Sequence, residues 1–139
     1  MGAYLAVRQS SIQSMAAHIV PDPPYVLLLE ADLLLAESVG DALFDSGFVP
    51  LLATDATEAL QYMAGTSAPV LIILDLDSVG DPAELLARFR ADARWSRVPI
   101  VVTGTAQLPG HVQVDGVMPK PFDAEKLVSF GREHIARPR

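Results

Sequence analysis

The stretch Val70-Leu71-Ile72-Ile73-Leu74-Asp75 is the most apolar run of the chain, and it ends in a carboxylate. Consecutive β-branched and aliphatic residues after a turn-forming Thr-Ser-Ala-Pro segment predict a strand that is buried on both faces. In open α/β sheets, binding and catalytic sites form at the carboxyl ends of the strands. Asp75 is therefore either a functional carboxylate at such an edge or a residue that merely caps the next element.

Three other polar residues follow short apolar segments in the same way. Glu30, Thr103 and Lys120 come directly after residues 25–29, 98–102 and 117–119. If the strands are parallel, the two acids, the hydroxyl and the amine meet at one edge of one sheet. Each residue alone also fits an ordinary solvated or hydrogen-bonded strand end, so the prediction depends on all four together. Such an edge can hold a cation and an anionic oxygen cluster side by side.

The composition describes a folded, acidic protein. The 139 residues suit one domain. Because 50% of them are hydrophobic and only 19% are charged, the chain can form a substantial core. The net charge of −7 argues against nucleic acid as a partner, because nucleic-acid binding needs a basic face. The absence of cysteine excludes disulfides and thiolate metal sites. No apolar run approaches about 18 residues and no secretory signal is visible, so we expect a cytoplasmic protein without a membrane partner.

Predicted helices alternate with the strands. Aspartates in capping positions open four of them, over residues 32–46, 55–65, 81–93 and 123–136. Residues 48–53 add the remaining strand. This alternation predicts an α/β domain with a doubly wound, five-stranded parallel sheet. Because Pro109-Gly110 interrupts the short connection of residues 104–115, we predict a shortened fourth crossover helix.

The chain divides into three parts on these grounds. Residues 25–136 form the predicted domain, and residues 137–139 form a tail. Residues 1–24 are rich in Ser, Gln and Ala and end in Pro21-Asp22-Pro23-Pro24, which cannot continue a helix. Apolar residues of this N-terminal extension recur at roughly helical spacing, so it is either a mobile tail or a short helix docked on the domain or on a partner.

From Tyr25 to Ile135 the chain resembles a receiver domain of the response regulators of bacterial two-component signalling. That family carries acids after strand one, the phosphoacceptor aspartate after strand three, Thr or Ser after strand four, and Lys-Pro after strand five. The corresponding residues here, together with a matching loop glycine, are Glu30, Asp75, Thr103, Lys120-Pro121 and Gly80. Each of these residues alone is weak evidence for the family, but their order and spacing together are specific. The resemblance implies a flavodoxin-like fold with strand order 2-1-3-4-5.

The resemblance also implies a chemistry for these residues. Asp75 would accept a phosphoryl group from a sensor histidine kinase or a phosphotransfer protein. Mg²⁺ would be bound by Asp75, by the backbone carbonyl of Asp77, and by Glu30 directly or through water. The Lys120 amine and the Thr103 hydroxyl would bind phosphoryl oxygens, and the Lys-Pro bond would be cis. Such a domain phosphorylates itself rather than turning over a substrate, and it acts on a downstream protein target, with a homodimer as a further option.

Two departures from the family pattern concern the metal and the output. The family usually has two adjacent acids after strand one, the second being a direct metal ligand, whereas here Ala31 follows Glu30. The next acid, Asp32, fits a helix cap better than a ligand, so we expect weak Mg²⁺ binding. The aromatic switch residue of the family is replaced by Val117, which has no ring to move.

Two functional classes therefore remain open. The first is a single-domain response regulator, phosphorylated on Asp75, that signals through phosphorylation-dependent protein interaction. The second is a degenerate receiver that acts as a phosphorylation-independent interaction module. Asp75, Thr103 and Lys120 favour the first class, whereas Ala31, Val117 and the short fourth crossover favour the second. An unrelated ligand-binding α/β domain is a more distant third.

Overall fold

The computed structural model describes residues 23–135, which form one parallel sheet with helices on both faces. The elements in chain order are β1 (Tyr25–Leu29), α1 (Leu33–Asp45), β2 (Val49–Ala53), α2 (Ala56–Gly65), β3 (Leu71–Asp75), a one-turn 3₁₀ helix (Leu76–Ser78), α3 (Pro82–Ala91), β4 (Ile100–Thr103), β5 (Gly116–Met118) and α4 (Ala124–Glu133). The strand order β2-β1-β3-β4-β5 confirms the prediction. The expectations for residues 1–22 and for the tail of residues 137–139 lie outside the described residues.

The register of the strands brings their carboxyl ends to one level. Asp75 of β3 pairs with Thr103 of β4. On the other side of β3, Leu74 pairs with Leu29 of β1, so Glu30 follows its strand at the level where Asp75 ends its own. The three polar residues therefore lie at the ends of three adjacent strands, as parallel pairing requires.

Alternate residues of the central strands enter two cores, one on each face of the sheet. Leu27 and Ile72 belong to the core that includes α2 and α3, whereas Leu28 and Ile73 belong to the core that includes α1 and α4. Every residue of β1 and β3 is buried, and burial of a large aliphatic side chain contributes roughly 1.5–3 kcal/mol. The apolar strands thus give the polar edge a rigid support.

An aspartate caps the amino end of each of the four described α-helices. These residues are Asp32, Asp55, Asp81 and Asp123. Asp32 accepts hydrogen bonds from the N–H groups of Leu34 at 3.1 Å and Leu35 at 3.2 Å, which confirms its predicted role as a cap. None of the described helices is long and apolar enough to cross a membrane.

The crossover from β4 to β5 differs from the prediction in one respect. We predicted a shortened helix, but the structure has no helix in residues 104–115. Leu108, Val112 and Val114 instead pack this segment against the core beside α3. Proline and glycine at its centre disfavour helix formation, and the short span leaves little room for one. Val117 of β5 is 60% exposed.

Candidate functional site

Three polar side chains are buried at the carboxyl edge of the sheet. Within residues 23–135, Glu30, Asp75 and Thr103 are the polar or charged residues classed as buried, with 4%, 3% and 2% of their surface exposed. Buried carboxylates are costly unless they are paired with charges or hydrogen-bond donors. Their partners therefore decide what this edge can do.

Lys120 lies between the two buried carboxylates. Its Nζ is 2.7 Å from Glu30 Oε1 and 3.3 Å from Asp75 Oδ2. The Lys120-Pro121 peptide bond is cis, as the resemblance implies. The structure therefore brings Glu30, Asp75 and Lys120 into one ion-pair network at the predicted edge.

The electrostatic balance of this network keeps the lysine charged. Partial burial by itself lowers the pKa of Lys120, but the hydrogen bond and charge of Glu30, with the smaller effect of Asp75, outweigh it and raise the pKa above the ordinary lysine value. Two carboxylates share one ammonium, so the network as a whole retains negative charge. A site of this kind can attract a cation, and its ammonium can contact an anionic group on Asp75.

Ser78 is part of the site, and the sequence reasoning did not identify it. Its hydroxyl accepts the N–H of Ala31 at 2.9 Å and lies within hydrogen-bonding distance of Glu30 Oε2 at 3.2 Å and of Asp75 Oδ2. Since a hydroxyl has one proton, it donates to one carboxylate at a time. The 3₁₀ turn after β3, held by buried Leu76, brings Ser78 back over the end of its own strand.

Thr103 occupies the position next to Asp75 on the neighbouring strand. The two residues are register partners, and Thr103 is 2% exposed. The predicted hydroxyl therefore lies at the same edge as the carboxylate. The expected contact between the Thr103 hydroxyl and a phosphoryl oxygen would form only with a phosphoryl group on Asp75.

The Asp77 side chain contacts a different part of the chain. Its Oδ2 accepts the N–H of Thr105 at 2.8 Å and its Oδ1 accepts the N–H of Ala106 at 2.8 Å. The Thr105 hydroxyl lies 3.2 Å from both carboxylate oxygens. Chiefly the Thr105 N–H bond lowers the pKa of Asp77, with weaker contributions from Ala106 and the Lys120 charge. Asp77 thus remains an anion that holds residues 105–106 next to the site.

Gly104 is the second residue that the sequence reasoning missed. It follows Thr103 with φ of +93°, and a Cβ at this position would lie 2.5 Å from Asp75 Oδ1 and 2.8 Å from Asp77 Oδ2. Side chains are disfavoured at such a φ and have no space here. A glycine directly after a predicted polar strand end was the available signal.

The donor atoms suit a hard cation in kind. Glu30 and Asp75 offer carboxylate oxygens and Ser78 offers a neutral one, and such oxygen ligands are those that Mg²⁺ prefers. Across residues 23–135, no group of three or more His, Cys, Asp or Glu side chains is arranged to hold a metal ion. Among the described residues, a cation at this edge would therefore have at most two carboxylate ligands, and water would have to complete its coordination.

The chain is similar in sequence to curated proteins. No family model matches the chain. The chain is 33% identical over 124 residues to the response regulator Rre1 of Synechocystis, covering 84% of this chain and 53% of the relative. It is 29% identical over 119 residues to ycf29 of Porphyra purpurea, which is named a probable transcriptional regulator, covering 81% of this chain and 56% of the relative. The chain thus spans about half the length of the curated relatives it matches.

Solved structures show the same fold. The chemotaxis response regulator CheY4 of Vibrio cholerae superposes with a TM-score of 0.69 at 22% identity, covering 82% of this chain and 100% of the other. A response regulator from Thermotoga maritima gives a TM-score of 0.68 at 18% identity, covering 84% of this chain and 100% of the other.

Proposed function

We propose that this chain, whose described residues form a response-regulator receiver domain, accepts a phosphoryl group on Asp75 from a phosphohistidine of a partner protein. The observation that carries the proposal is the position of Lys120 Nζ, 3.3 Å from Asp75 Oδ2, at the edge where Thr103 pairs with Asp75. An ammonium and a hydroxyl beside a buried carboxylate are suited to bind the oxygens of a phosphoryl group.

In the proposed step, a carboxylate oxygen of Asp75 attacks phosphorus opposite the bond to the donor. The P–N bond breaks as the O–P bond of an acyl phosphate forms, and the leaving imidazole keeps the bonding electron pair and takes up one proton. Acceptor and transferred group are both anionic, so the barrier is largely electrostatic. Lys120 supplies a fixed positive charge, and Thr103 supplies a hydroxyl for an oxygen of the new group.

A divalent cation would reduce the remaining repulsion between the carboxylates and the phosphoryl oxygens. We propose that Glu30, Asp75 and the backbone carbonyl of Asp77 would hold Mg²⁺ there. Because Ala31 replaces a second acid and Lys120 already bonds Glu30 at 2.7 Å, binding should be weak, with half-saturation in the millimolar range.

The proposed partners are proteins. A sensor histidine kinase or a phosphotransfer protein would present the phosphohistidine, and a downstream protein would distinguish the phosphorylated from the unphosphorylated domain. The net charge of −7 supports a protein rather than a nucleic acid as the direct partner of this domain.

The test is incubation of the purified protein with acetyl phosphate and Mg²⁺, followed by intact mass spectrometry. Acetate takes the place of imidazole as the leaving group. We expect a mass increase of one phosphoryl group in the wild type, none in Asp75→Asn, and a slower increase in Lys120→Met. Asp81→Asn, which changes an exposed cap of α3, is the matched control and should behave as wild type. An unmodified wild type, or an equally modified Asp75→Asn, would contradict the proposal.

A specific observation favours a second candidate, the phosphorylation-independent interaction module. Lys120 and Ser78 already provide both buried carboxylates with partners, so the edge is stable without added ligands. The same assay separates the two candidates. An unmodified wild type that becomes phosphorylated only after Ala31→Asp would identify a receiver whose chemistry has been lost and whose fold is retained.

A further inference from the structure

Ser78 contacts both buried carboxylates through a single hydroxyl. Its Oγ lies 3.2 Å from Glu30 Oε2 and within hydrogen-bonding distance of Asp75 Oδ2, and it accepts the N–H of Ala31 at 2.9 Å. An ionised carboxylate only accepts hydrogen bonds, so the hydroxyl proton points toward one of the two carboxylates. The Ala31 N–H occupies a lone pair of Oγ and keeps that oxygen in place. Ser78 is therefore a neutral donor that the two carboxylates share.

The carboxylate oxygens that Ser78 contacts each have a second donor. Glu30 Oε2 also accepts the N–H of Asp32 at 3.1 Å, and Asp75 Oδ2 lies 3.3 Å from Lys120 Nζ. A carboxylate has about four lone-pair sites, two on each oxygen, so two donors fill each of these oxygens. Since Glu30 Oε1 already bonds Lys120 at 2.7 Å, a cation meets Glu30 first at Oε2. It must then take the place of one of the two donors there.

Ser78 is the donor that can leave most easily. The Asp32 N–H belongs to the backbone at the start of α1, where the Asp32 side chain caps the helix. Lys120 is held by its charge, because its ammonium contacts both carboxylates. Ser78 is half-buried, and one rotation about its χ1 moves the hydroxyl away from both carboxylates. Displacement of Ser78 alone therefore frees a lone pair on Glu30 and on Asp75.

We propose that Ser78 is a positioning residue whose hydroxyl closes this edge to cations in the resting domain. The inference rests on the cation proposed above for Glu30 and Asp75. The hydroxyl satisfies the carboxylates while the cation is absent, and it turns away when the cation binds. Ser78 thus opposes cation binding by one hydrogen bond to a charged acceptor, which is stronger than a bond to a neutral one. Weak Mg²⁺ binding then has a cause besides Ala31 and Lys120.

The test compares Ser78→Ala with the wild type in two measurements on the full chain. Titration with Mg²⁺, followed by NMR of the Ala31 and Asp32 amides, gives the half-saturating concentration. Thermal unfolding gives the stability in EDTA and in saturating Mg²⁺. We expect Ser78→Ala to lower the half-saturating concentration several-fold. Its unfolding midpoint should lie below that of the wild type in EDTA and match it in saturating Mg²⁺, because the lost hydrogen bond exists only without the cation.

Two variants serve as controls for this comparison. Ser78→Thr keeps the hydroxyl, and Ser129→Ala changes an exposed serine of α4, so both should titrate and unfold as the wild type does. Weaker Mg²⁺ binding by Ser78→Ala would overturn the inference, because the hydroxyl would then be a ligand. An unchanged half-saturation, with the midpoint lowered equally in EDTA and in Mg²⁺, would also overturn it, because Ser78 would then be only structural.

The outcomes separate this inference from the proposed phosphoacceptor function. If neither the wild type nor Ser78→Ala binds Mg²⁺ while acetyl phosphate still adds mass at Asp75, the inference fails and the phosphoacceptor function stands. If Ser78→Ala binds Mg²⁺ more tightly but no mass is added to the wild type, the phosphoacceptor function fails and the role of Ser78 stands.

Discussion

Removal of the Lys120 charge should unbalance the site more than any other single change of charge. Lys120→Met keeps most of the side-chain volume but leaves the Glu30 and Asp75 carboxylates, 4% and 3% exposed, without their ammonium. Removal of one partner of a buried ion pair costs roughly 3–5 kcal/mol. The Lys120 side chain is 27% exposed and Ser78 remains as a donor, so we expect a loss of about 2 kcal/mol at neutral pH.

Urea unfolding monitored by circular dichroism measures this loss. With a slope of about 1.5 kcal/mol/M, the midpoint should fall by roughly 1.3 M. Lys126→Met, which removes an exposed lysine of α4, is the matched control and should shift the midpoint little.

A double-mutant cycle tests the reasoning behind this value. Asp75→Asn removes one of the two carboxylates, so Lys120→Met should cost less in that background than in the wild type. A Lys120→Met protein as stable as the wild type at neutral pH would refute the argument, as would a cost that is the same in both backgrounds. Either result would mean that the carboxylates are stabilised by solvent and Ser78 rather than by Lys120.

Three further predictions follow from the same geometry. Gly104→Ala should destabilise the domain by about 1–2 kcal/mol or more and prevent the phosphoryl adduct, because its methyl group would meet Asp75 Oδ1 at a positive φ. The control Gly80→Ala, where a Cβ has no atom within 4 Å, should have neither effect. Equal thermal unfolding of the two variants would contradict this prediction. Ala31→Asp should lower the half-saturating Mg²⁺ concentration in a fluorescence titration, because it adds an anionic ligand; an unchanged titration would place the cation elsewhere. The raised pKa of Lys120 contributes stability that is present below the ordinary lysine pKa and is lost as the pH rises through the raised value. The stability difference between the wild type and Lys120→Met should therefore be flat from about pH 7 to 9 and fall only above about pH 10.5.

The strand ends were predictable because burial leaves a strong pattern in the sequence. A short β-branched and aliphatic run such as Val70–Leu74, after a turn-forming segment, favours a strand buried on both faces. Parallel pairing then fixes where Asp75 lies relative to Glu30 and Thr103. The capping aspartates were equally predictable, since a cap depends on a few neighbouring residues. The placement of the polar edge therefore followed from local signals and parallel pairing, whereas the strand order was implied by the family resemblance.

The contacts of Ser78 and Asp77 depend on geometry that no periodicity records. Ser78 reaches the carboxylates because a one-turn helix reverses the chain after β3, and one serine in a loop gives no pattern for that. The Asp77 side chain was not assigned a partner because the path of residues 104–106 follows from packing rather than from propensity. The helix prediction for residues 104–115 was wrong for the same reason. We expected Pro109-Gly110 to shorten a helix there, but the apolar side chains of this segment pack against the core without forming one.

Ala31 stands where the family usually has a second acid after β1, and this changes the balance of charges in the whole site. With one acid after β1, a single lysine and a serine hydroxyl provide partners for both buried carboxylates, so the resting site does not depend on a cation. A cation must then compete with Lys120 for Glu30, whose Oε1 lies 2.7 Å from the ammonium. In the proposed mechanism, a phosphoryl group on Asp75 would offer that ammonium new oxygens and so release Glu30. Metal binding and phosphorylation should therefore favour each other through Lys120, and each should be weak when it acts alone.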